Sequence, residues 1–237
     1  RFQLPHNLRF KAYSSLLTRS LPQNLYGAWG NGVEAYIRKD YATAERCFRA
    51  TSPSSKICFN LGMTLLVQFR FQEAINAFNQ ALEYDDWMAI SYFQKGACYF
   101  MLGQYDEAIK SWNDAKENIR HGEVVDYDSL HLQFMLCKSE IALNIGIAFY
   151  YSDMTEECNV MLDEARGYTI VKDDIPAITA QMIAGEEVYP CTVDDSILFN
   201  PPKLPQSVVD AMKKASSAAP SWGGGGGASS PMPTPPS

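Results

Sequence analysis

Apolar and small residues recur at helical spacing through the middle of the chain, and the arrangement itself repeats. The stretches CFNLGMTLLVQFRFQEAINAFNQAL (58–82) and YFQKGACYFMLGQYDEAIKSWNDAK (92–116) superpose with a shift of 34 residues. This shift places Gly62 on Gly96, and Phe78 on Trp112. The helical periodicity of each stretch predicts a pair of antiparallel helices. Small residues let the two helices approach closely, and large residues fill the gap to the next pair.

The length of the repeat indicates the kind of helical hairpin. A period of 34 residues, with small residues at repeat positions 8, 20 and 27 and an aromatic residue near 24, is the tetratricopeptide pattern. A first repeat fits with Gly32 at position 8, and a fourth fits with Gly146. Because one such hairpin cannot bury its apolar face alone, we predict an all-α solenoid of four helical hairpins spanning about 25–166. Further matches to the pattern are Ala44, Phe48, Cys158, Leu162 and Ala165.

The spacing between the third and fourth repeats is irregular. Gly146 follows Gly96 by 50 residues instead of 34, which leaves 16 extra residues at about 118–133. The dipeptide His121-Gly122 predicts a turn, and Val124-Val125 predicts a short extended piece after it. Insertions in solenoids project from one face and often form part of a binding site. Five residues are predicted to anchor this insertion on the stack: Tyr127, Leu130, Leu132, Phe134 and Leu136.

The repeat pattern is lost after residue 166. The stretch DDIPAITAQMIAGEE (173–187) predicts one more helix, which would cap the stack. The proline-rich stretch VYPCTVDDSILFNPPKLPQ (188–206) predicts extended backbone. We expect it to occupy the concave face of the solenoid. The predicted anchors are Val188, Tyr189, Ile197, Leu198 and Phe199.

The predicted organisation has four parts. They are an N-terminal extension (1–24), a tetratricopeptide domain (25–187), an extended segment with the short helix SVVDAMKKA (188–215), and a disordered Gly/Ser/Pro-rich linker (216–237). Trp29 and Trp112 occupy helix positions of the repeat and are predicted to lie in the core.

Composition narrows the function classes. A net charge of −7 and a pI of about 5.0 argue against a general nucleic-acid binder or a binder of acidic membranes. The six cysteines lack metal-ligand spacing, and several fall on predicted helix faces, which favours reduced, buried thiols and a cytoplasmic location over disulfides or a metal site. No uncharged stretch is long and apolar enough to span a bilayer. No catalytic residues, metal site or cofactor site are predicted, because the three histidines lack partners at ligand spacing.

Several short motifs resemble one family of regulatory proteins. They are ICFNLG (57–62), AISYFQKG (89–96), QYDEAI (104–109), IRxxEVVDY (119–127), LQFML (132–136) and NIGIAFY (144–150). These motifs resemble the N-terminal domain of NADPH-oxidase activator proteins, which comprise the neutrophil cytosolic factor 2 family of animals and the NoxR regulators of fungi. The resemblance covers about 25–206 and includes both the insertion and the proline-rich segment.

The resemblance implies a non-catalytic regulatory subunit of an NADPH oxidase complex. In the family this domain binds the GTP-bound form of a Rac-type small GTPase through the insertion and the loops between repeats. The implied protein is cytoplasmic, has no direct membrane insertion, and reaches the membrane through partners that include the oxidase catalytic subunit. Four positions match the family's interface: Ser55, Asp85, Arg120 and Asp126. Three others depart from it, with Gly122 for Asn, Val124 for Leu and Trp87 for His.

Several points remain open at the level of sequence. The family's activating motif is not recognisable after Lys213-Lys214, so either activation uses another segment, such as one containing Trp222, or the chain is not an activator in the family's sense. A generic tetratricopeptide scaffold, or a chaperone-associated adaptor that clamps a peptide carboxylate in its groove, would also fit the repeats. Such a clamp favours basic residues where Ile90 and Gln94 stand, and Asn60 alone fits it. A lone exposed Arg120 and Asp126 would also be compatible with ordinary solvated surface.

Overall fold

The computed structural model describes residues 27–171, 175–202, 206, 207 and 210. The extension at 1–24, most of the helix predicted at 207–215 and the linker at 216–237 lie outside these residues. The helices within the described part are α1 (Gly27–Ile37), α2 (Tyr41–Ala50), α3 (Ser55–Leu66), α4 (Phe71–Tyr84), α5 (Ala89–Met101), α6 (Tyr105–Asn118), α7 (Lys138–Tyr151), α8 (Thr155–Gly167) and α9 (Ile175–Ile183).

The predicted solenoid of four hairpins is confirmed. Helices α1 and α2, α3 and α4, α5 and α6, and α7 and α8 pack pairwise, and each hairpin packs on the next. The repeat glycines explain the close approach, because a Cβ atom added at Gly96 would lie 2.5 Å from Nε1 of Trp112. Trp112 is fully buried, and its Nε1 donates a hydrogen bond to the carbonyl of Phe93 at 3.0 Å.

The turn inside each hairpin has the same backbone geometry in all four repeats. The residue seven positions after the repeat glycine has a positive φ angle: 63° at Lys39, 59° at Phe69, 72° at Gly103 and 59° at Asp153. A left-handed conformation is costly for a bulky side chain such as that of Phe69. The repeat architecture therefore imposes the turn even where the local residue disfavours it.

The insertion between α6 and α7 forms a small β-hairpin. Strand β1 (Val124–Asp126) pairs antiparallel with strand β2 (Met135–Cys137), and a 3₁₀ turn (Asp128–Leu130) lies between them. The extended piece predicted at Val124-Val125 is confirmed, whereas β2 was not predicted.

The apolar residues of the insertion divide into anchors and one exposed residue. Tyr127, Leu132 and Leu136 are buried, and Phe134 is partly buried, as predicted. The prediction for Leu130 is wrong: it is 42% exposed, because the 3₁₀ turn directs it away from the stack.

The extended segment lies in a groove formed by side chains of α1, α3, α5 and α7, as expected. Val188, Leu198 and Phe199 are buried and Tyr189 and Ile197 are partly buried, while Val193 is a buried anchor that was not predicted. Trp29 is only partly buried, since its indole reaches the groove and donates from Nε1 to the carbonyl of Phe199 at 2.9 Å.

Three side-chain amides hold the backbone of this segment. Asn60 donates to the Phe199 carbonyl at 2.8 Å and accepts from the Phe199 amide at 2.9 Å. Asn144 makes the same pair of bonds with Cys191, at 2.8 and 2.7 Å. Gln94 accepts from the amide of Val193 at 3.0 Å. Each of these three residues stands two positions before its repeat glycine. We call Asn60, Gln94 and Asn144 the amide ladder.

The C-terminal end of the stack is covered by α9. Ile175, Thr179 and Met182 are its buried residues, and the helix packs on α7 and α8. The predicted capping helix is therefore present. Within the described residues, no helix is both long and apolar enough to cross a bilayer.

The cysteines lie mostly inside the stack. Cys58, Cys98, Cys137 and Cys158 are buried, and Cys47 and Cys191 are partly buried. Burial raises the pKa of the Cys98 thiol, which makes it a poor nucleophile.

Candidate functional site

A shallow depression lies beside the insertion, where the loop between α4 and α5 meets the residues after α6. Trp87, Arg120 and Val124 line it together with Asn118, His121 and Val125, and its volume is about 350 Å³. Three of the seven residues predicted to form the partner site therefore share one surface. We call this depression and the adjoining hairpin the insertion surface.

The centre of the insertion surface is a stacked pair of side chains. The guanidinium of Arg120 lies over the indole ring of Trp87. Trp87 is 55% exposed, so part of its indole is accessible to a partner. Cation–π stacking restrains the guanidinium and leaves its edge available to acceptors.

Both members of the stacked pair are held by their immediate neighbours. The Asp85 carboxylate accepts from the backbone amide of Trp87 at 3.2 Å, which fixes the turn before α5. Ile119 is 1% exposed and anchors the end of α6, so the chain leaves the core directly at Arg120. Asp85 thus supports the site from beneath Trp87.

The hairpin is tied to the stack at both of its ends. The hydroxyl of Tyr127 accepts from the backbone amide of Ile90 at 3.0 Å, and burial raises the Tyr127 pKa to about 12. The carboxylate of Glu123 accepts from Thr169 Oγ1 at 3.1 Å and from the amide of Ile170 at 3.0 Å. These contacts join the insertion to the start of α5 and to the loop after α8, so the strands are positioned before any partner arrives.

Asp126 and Gly122 do not line the depression, but they adjoin its lining residues Val125 and His121 in sequence. Asp126 is exposed at the end of β1, and its Oδ1 accepts from the amide of Asp128 at 2.9 Å, which stabilises the 3₁₀ turn. Gly122 has a φ angle of 75°. Among non-glycine residues, Asn is one of the few that tolerate this region. Glycine adopts this conformation without strain, and it lacks the side-chain amide of the Asn that the resemblance implies here.

Ser55 reaches the insertion surface through its neighbour. Ser54 caps α3 by accepting from the amide of Ile57 at 3.3 Å, and Ser55 is the partly exposed first residue of the helix. Lys56 Nζ donates to the carbonyl of Leu130 at 3.1 Å, which places the start of α3 against the 3₁₀ turn of the insertion. Sequence reasoning missed Lys56, and its position next to Ser55 was the available signal.

The groove is a second surface with candidate binding groups, but its polar groups are already engaged. Asn60 and Gln94 were the residues weighed for a peptide clamp, and both bind the chain's own extended segment. Within the described residues, no group of histidine, cysteine and carboxylate side chains has a metal-binding arrangement.

Comparisons with known proteins agree with the repeat pattern and with the motifs. Two family models described as "Tetratricopeptide repeat" match residues 55–86 and 89–117. Neutrophil cytosol factor 2 of Bos taurus is 37% identical over 129 residues, which are 54% of this chain and 24% of that protein. The NADPH oxidase activator of Dictyostelium discoideum is 26% identical over 193 residues, which are 80% of this chain and 31% of that protein. The predicted resemblance to NADPH-oxidase activators is confirmed.

The chain corresponds to only part of these relatives. It spans 24% and 31% of the lengths of the two relatives. Among solved structures, YrrB, described as a tetratricopeptide-repeat protein with an unusual peptide-binding site, is 21% identical. That alignment covers 67% of this chain and 72% of the YrrB chain, with a TM-score of 0.49.

Proposed function

We propose that this chain is a non-catalytic regulatory component of an NADPH oxidase complex and binds a GTP-loaded Rac-type small GTPase through the insertion surface. One observation carries the proposal. The stacked Trp87 and Arg120 sit exposed beside a hairpin that is anchored to the solenoid, at the positions which the family resemblance implies. The names of the similar proteins support the oxidase part of the proposal.

The chemistry of the insertion surface suits a protein partner. Trp and Arg are enriched among the residues that dominate binding energies at protein interfaces. The Arg120 guanidinium offers a planar fork of donors for a carboxylate or for backbone carbonyls. The Trp87 ring and the Val124 side chain supply apolar contact next to it. Because the hairpin is already anchored, binding requires little additional ordering of the chain.

A GTPase partner would give this surface a regulatory role. The switch loops of small GTPases are ordered by the γ-phosphate and released after hydrolysis. A rigid surface that contacts those loops distinguishes the two nucleotide states. The component would then reach the membrane oxidase only while its GTPase is loaded with GTP.

The chain's departures from the family bear on partner choice. Trp87 stands for a His and presents a larger, flatter contact, while Val124 keeps an apolar contact in place of Leu. Gly122 lacks the side-chain amide of an Asn, which would donate or accept hydrogen bonds. We therefore expect GTPase binding to be retained with a changed preference among Rac-type proteins.

The test is a comparison of nucleotide states and partner classes. The chain is titrated with a Rac-type GTPase loaded with a GTP analogue or with GDP, and separately with a peptide that ends in a free carboxylate. We expect at least about tenfold tighter binding of the GTP form, or about 1.4 kcal/mol. Equal affinity for both nucleotide forms would overturn the proposal, and tight binding of the peptide would favour the adaptor alternative.

A further inference from the structure

The groove segment and the insertion meet at one side chain, Lys56 on the first turn of α3. Lys56 Nζ donates to the carbonyl of Leu130 in the insertion at 3.1 Å. The same Nζ lies 5.5 Å from the centre of the Phe199 ring, in the groove segment. Two elements separated by about seventy residues in sequence are therefore joined through a single cation.

The Phe199 end of this connection is the most firmly held part of the groove segment. Phe199 is fully buried and packs edge-on against Phe59, with ring centres 5.3 Å apart. Its amide and carbonyl are both bonded by Asn60, which follows Lys56 by one helical turn on the same face of α3. Whatever releases Phe199 from Asn60 also removes the ring that lies beside Lys56.

We propose that Lys56 couples occupancy of the groove to the conformation of the insertion, so that residues 188–199 act as a built-in effector of the insertion surface. With the segment docked, the Phe199 ring restrains the Lys56 ammonium where it can hold the 3₁₀ turn. With the segment displaced, the ammonium turns to solvent and the turn loosens. The regulatory consequence rests on the proposed function of the insertion surface, whereas the coupling itself does not.

Linkage fixes the direction of the effect. A docked segment that favours the ordered insertion strengthens partner binding, and a bound partner strengthens docking of the segment by the same factor. An extended ligand that competes for the amide ladder would therefore weaken partner binding without touching the insertion surface. Lys56 is a positioning residue in this scheme, because it acts through the turn.

Hydrogen exchange of the insertion tests the coupling in the absence of a partner. The amides of Leu130, His131 and Leu132 bond to carbonyls within the turn and report its stability. We expect Asn60→Ala and Lys56→Met each to accelerate their exchange by about fivefold, the lower end of typical coupling between sites. In the double variant the effect should equal that of Lys56→Met alone, because Asn60 acts through Lys56.

Two control variants separate coupling from a general loss of structure. Asn144→Ala releases the segment at Cys191, far from Lys56, and should leave exchange of the turn near wild type. Lys56→Arg keeps a donor and a cation, and should restore slow exchange. Amides of α5 should exchange slowly in every variant, which confirms that the solenoid remains folded.

The outcomes distinguish this coupling from the proposed function. Unchanged exchange of the turn in Asn60→Ala and Lys56→Met, or additive effects in the double variant, would overturn the coupling. If the coupling holds, GTPase affinity should fall by about fivefold in both single variants and recover in Lys56→Arg. If the variants show the expected exchange effects but the wild-type chain binds no GTPase, the proposed function is contradicted and the coupling remains intact.

Discussion

Replacing a repeat glycine by alanine tests how closely the two helices of a hairpin must approach, and the four repeats provide their own controls. At Gly96 the added Cβ would lie 2.5 Å from Nε1 of Trp112. The ring is fully buried and holds a hydrogen bond to the carbonyl of Phe93, so it cannot turn aside without losing that bond. At Gly146 the nearest atom is Cδ2 of Leu162 at 3.3 Å, at the flexible end of a side chain.

The expected magnitudes follow from three opposing effects. Overpacking a core costs about 1–3 kcal/mol, and loss of the indole hydrogen bond costs about 1 kcal/mol more. Alanine is favoured over glycine inside a helix by about 1 kcal/mol. Gly96→Ala should therefore destabilise the fold by about 2 kcal/mol. Gly146→Ala avoids the hard contact and should change the unfolding free energy by at most about 1 kcal/mol, toward greater stability.

Urea unfolding followed by far-ultraviolet circular dichroism measures both changes. A loss of about 2 kcal/mol should lower the melting temperature of a chain of this length by about 4–8 °C, which gives an independent thermal check. Equal stability changes in Gly96→Ala and Gly146→Ala would refute the reasoning. The helix propensity of alanine would then outweigh the steric contact between the added Cβ and Trp112. A stabilised Gly96→Ala variant would show that the tryptophan pocket is looser than its geometry indicates.

Two further predictions concern the groove segment. Asn144→Ala removes both hydrogen bonds to Cys191 and should speed proteolytic cleavage within 186–200 by about thirtyfold, since two bonds contribute about 2 kcal/mol. Asn76→Ala on the exposed face of α4 is the matched control. Equal cleavage rates in the two variants would contradict the prediction. Asp195 is exposed, and partial loss of hydration together with the neighbouring Asp194 raises its pKa above 3.8, against the opposing charge of Lys39. The ionised carboxylate therefore destabilises the docked segment above its folded-state pKa, by a small amount because solvent screens it. Asp195→Asn should therefore stabilise the protein at pH 7 and lose that advantage below about pH 4, as measured by thermal melting across pH; an advantage that persists at pH 3 would contradict the electrostatic explanation.

The repeating part of the fold was predictable because its packing rule is local in sequence. Each repeat glycine meets the large residue 16 positions later, as Gly62 meets Phe78 and Gly96 meets Trp112. That spacing is visible in the letters of the sequence. The 50-residue interval between Gly96 and Gly146 likewise located the insertion, although not its strands.

The parts that were missed depend on contacts between distant segments. Strand β2 is three residues long and runs directly into α7, so its extended conformation depends on pairing with β1. Leu130 looked like an anchor by composition, but the 3₁₀ turn exposes it. Val193 stands among polar residues and is buried only because Gln94 binds its amide from α5. Such pairings are not recoverable from either segment alone.

The site residues were located by resemblance, and their geometry came from the fold. Trp87 and Arg120 belong to loops that are 33 residues apart, and they meet because hairpin stacking brings the end of α4 beside the end of α6. Lys56 contacts the insertion because the start of α3 lies against the 3₁₀ turn. Ser55 and Asp126 do not line the depression, so we expect smaller effects from changes at these two residues.

The affinity of a GTP-loaded Rac-type GTPase for Arg120→Glu, measured by calorimetry, tests the central proposal most directly. The substitution removes the donor fork and reverses a charge beside Trp87, and it leaves the buried anchors Ile119 and Tyr127 in place. We predict a loss of at least about 2 kcal/mol, or roughly thirtyfold in affinity. Arg46→Glu on α2 makes the same charge change away from the insertion and should bind like wild type. Equal affinity of Arg120→Glu and wild type would contradict the assignment of the insertion surface as the partner site.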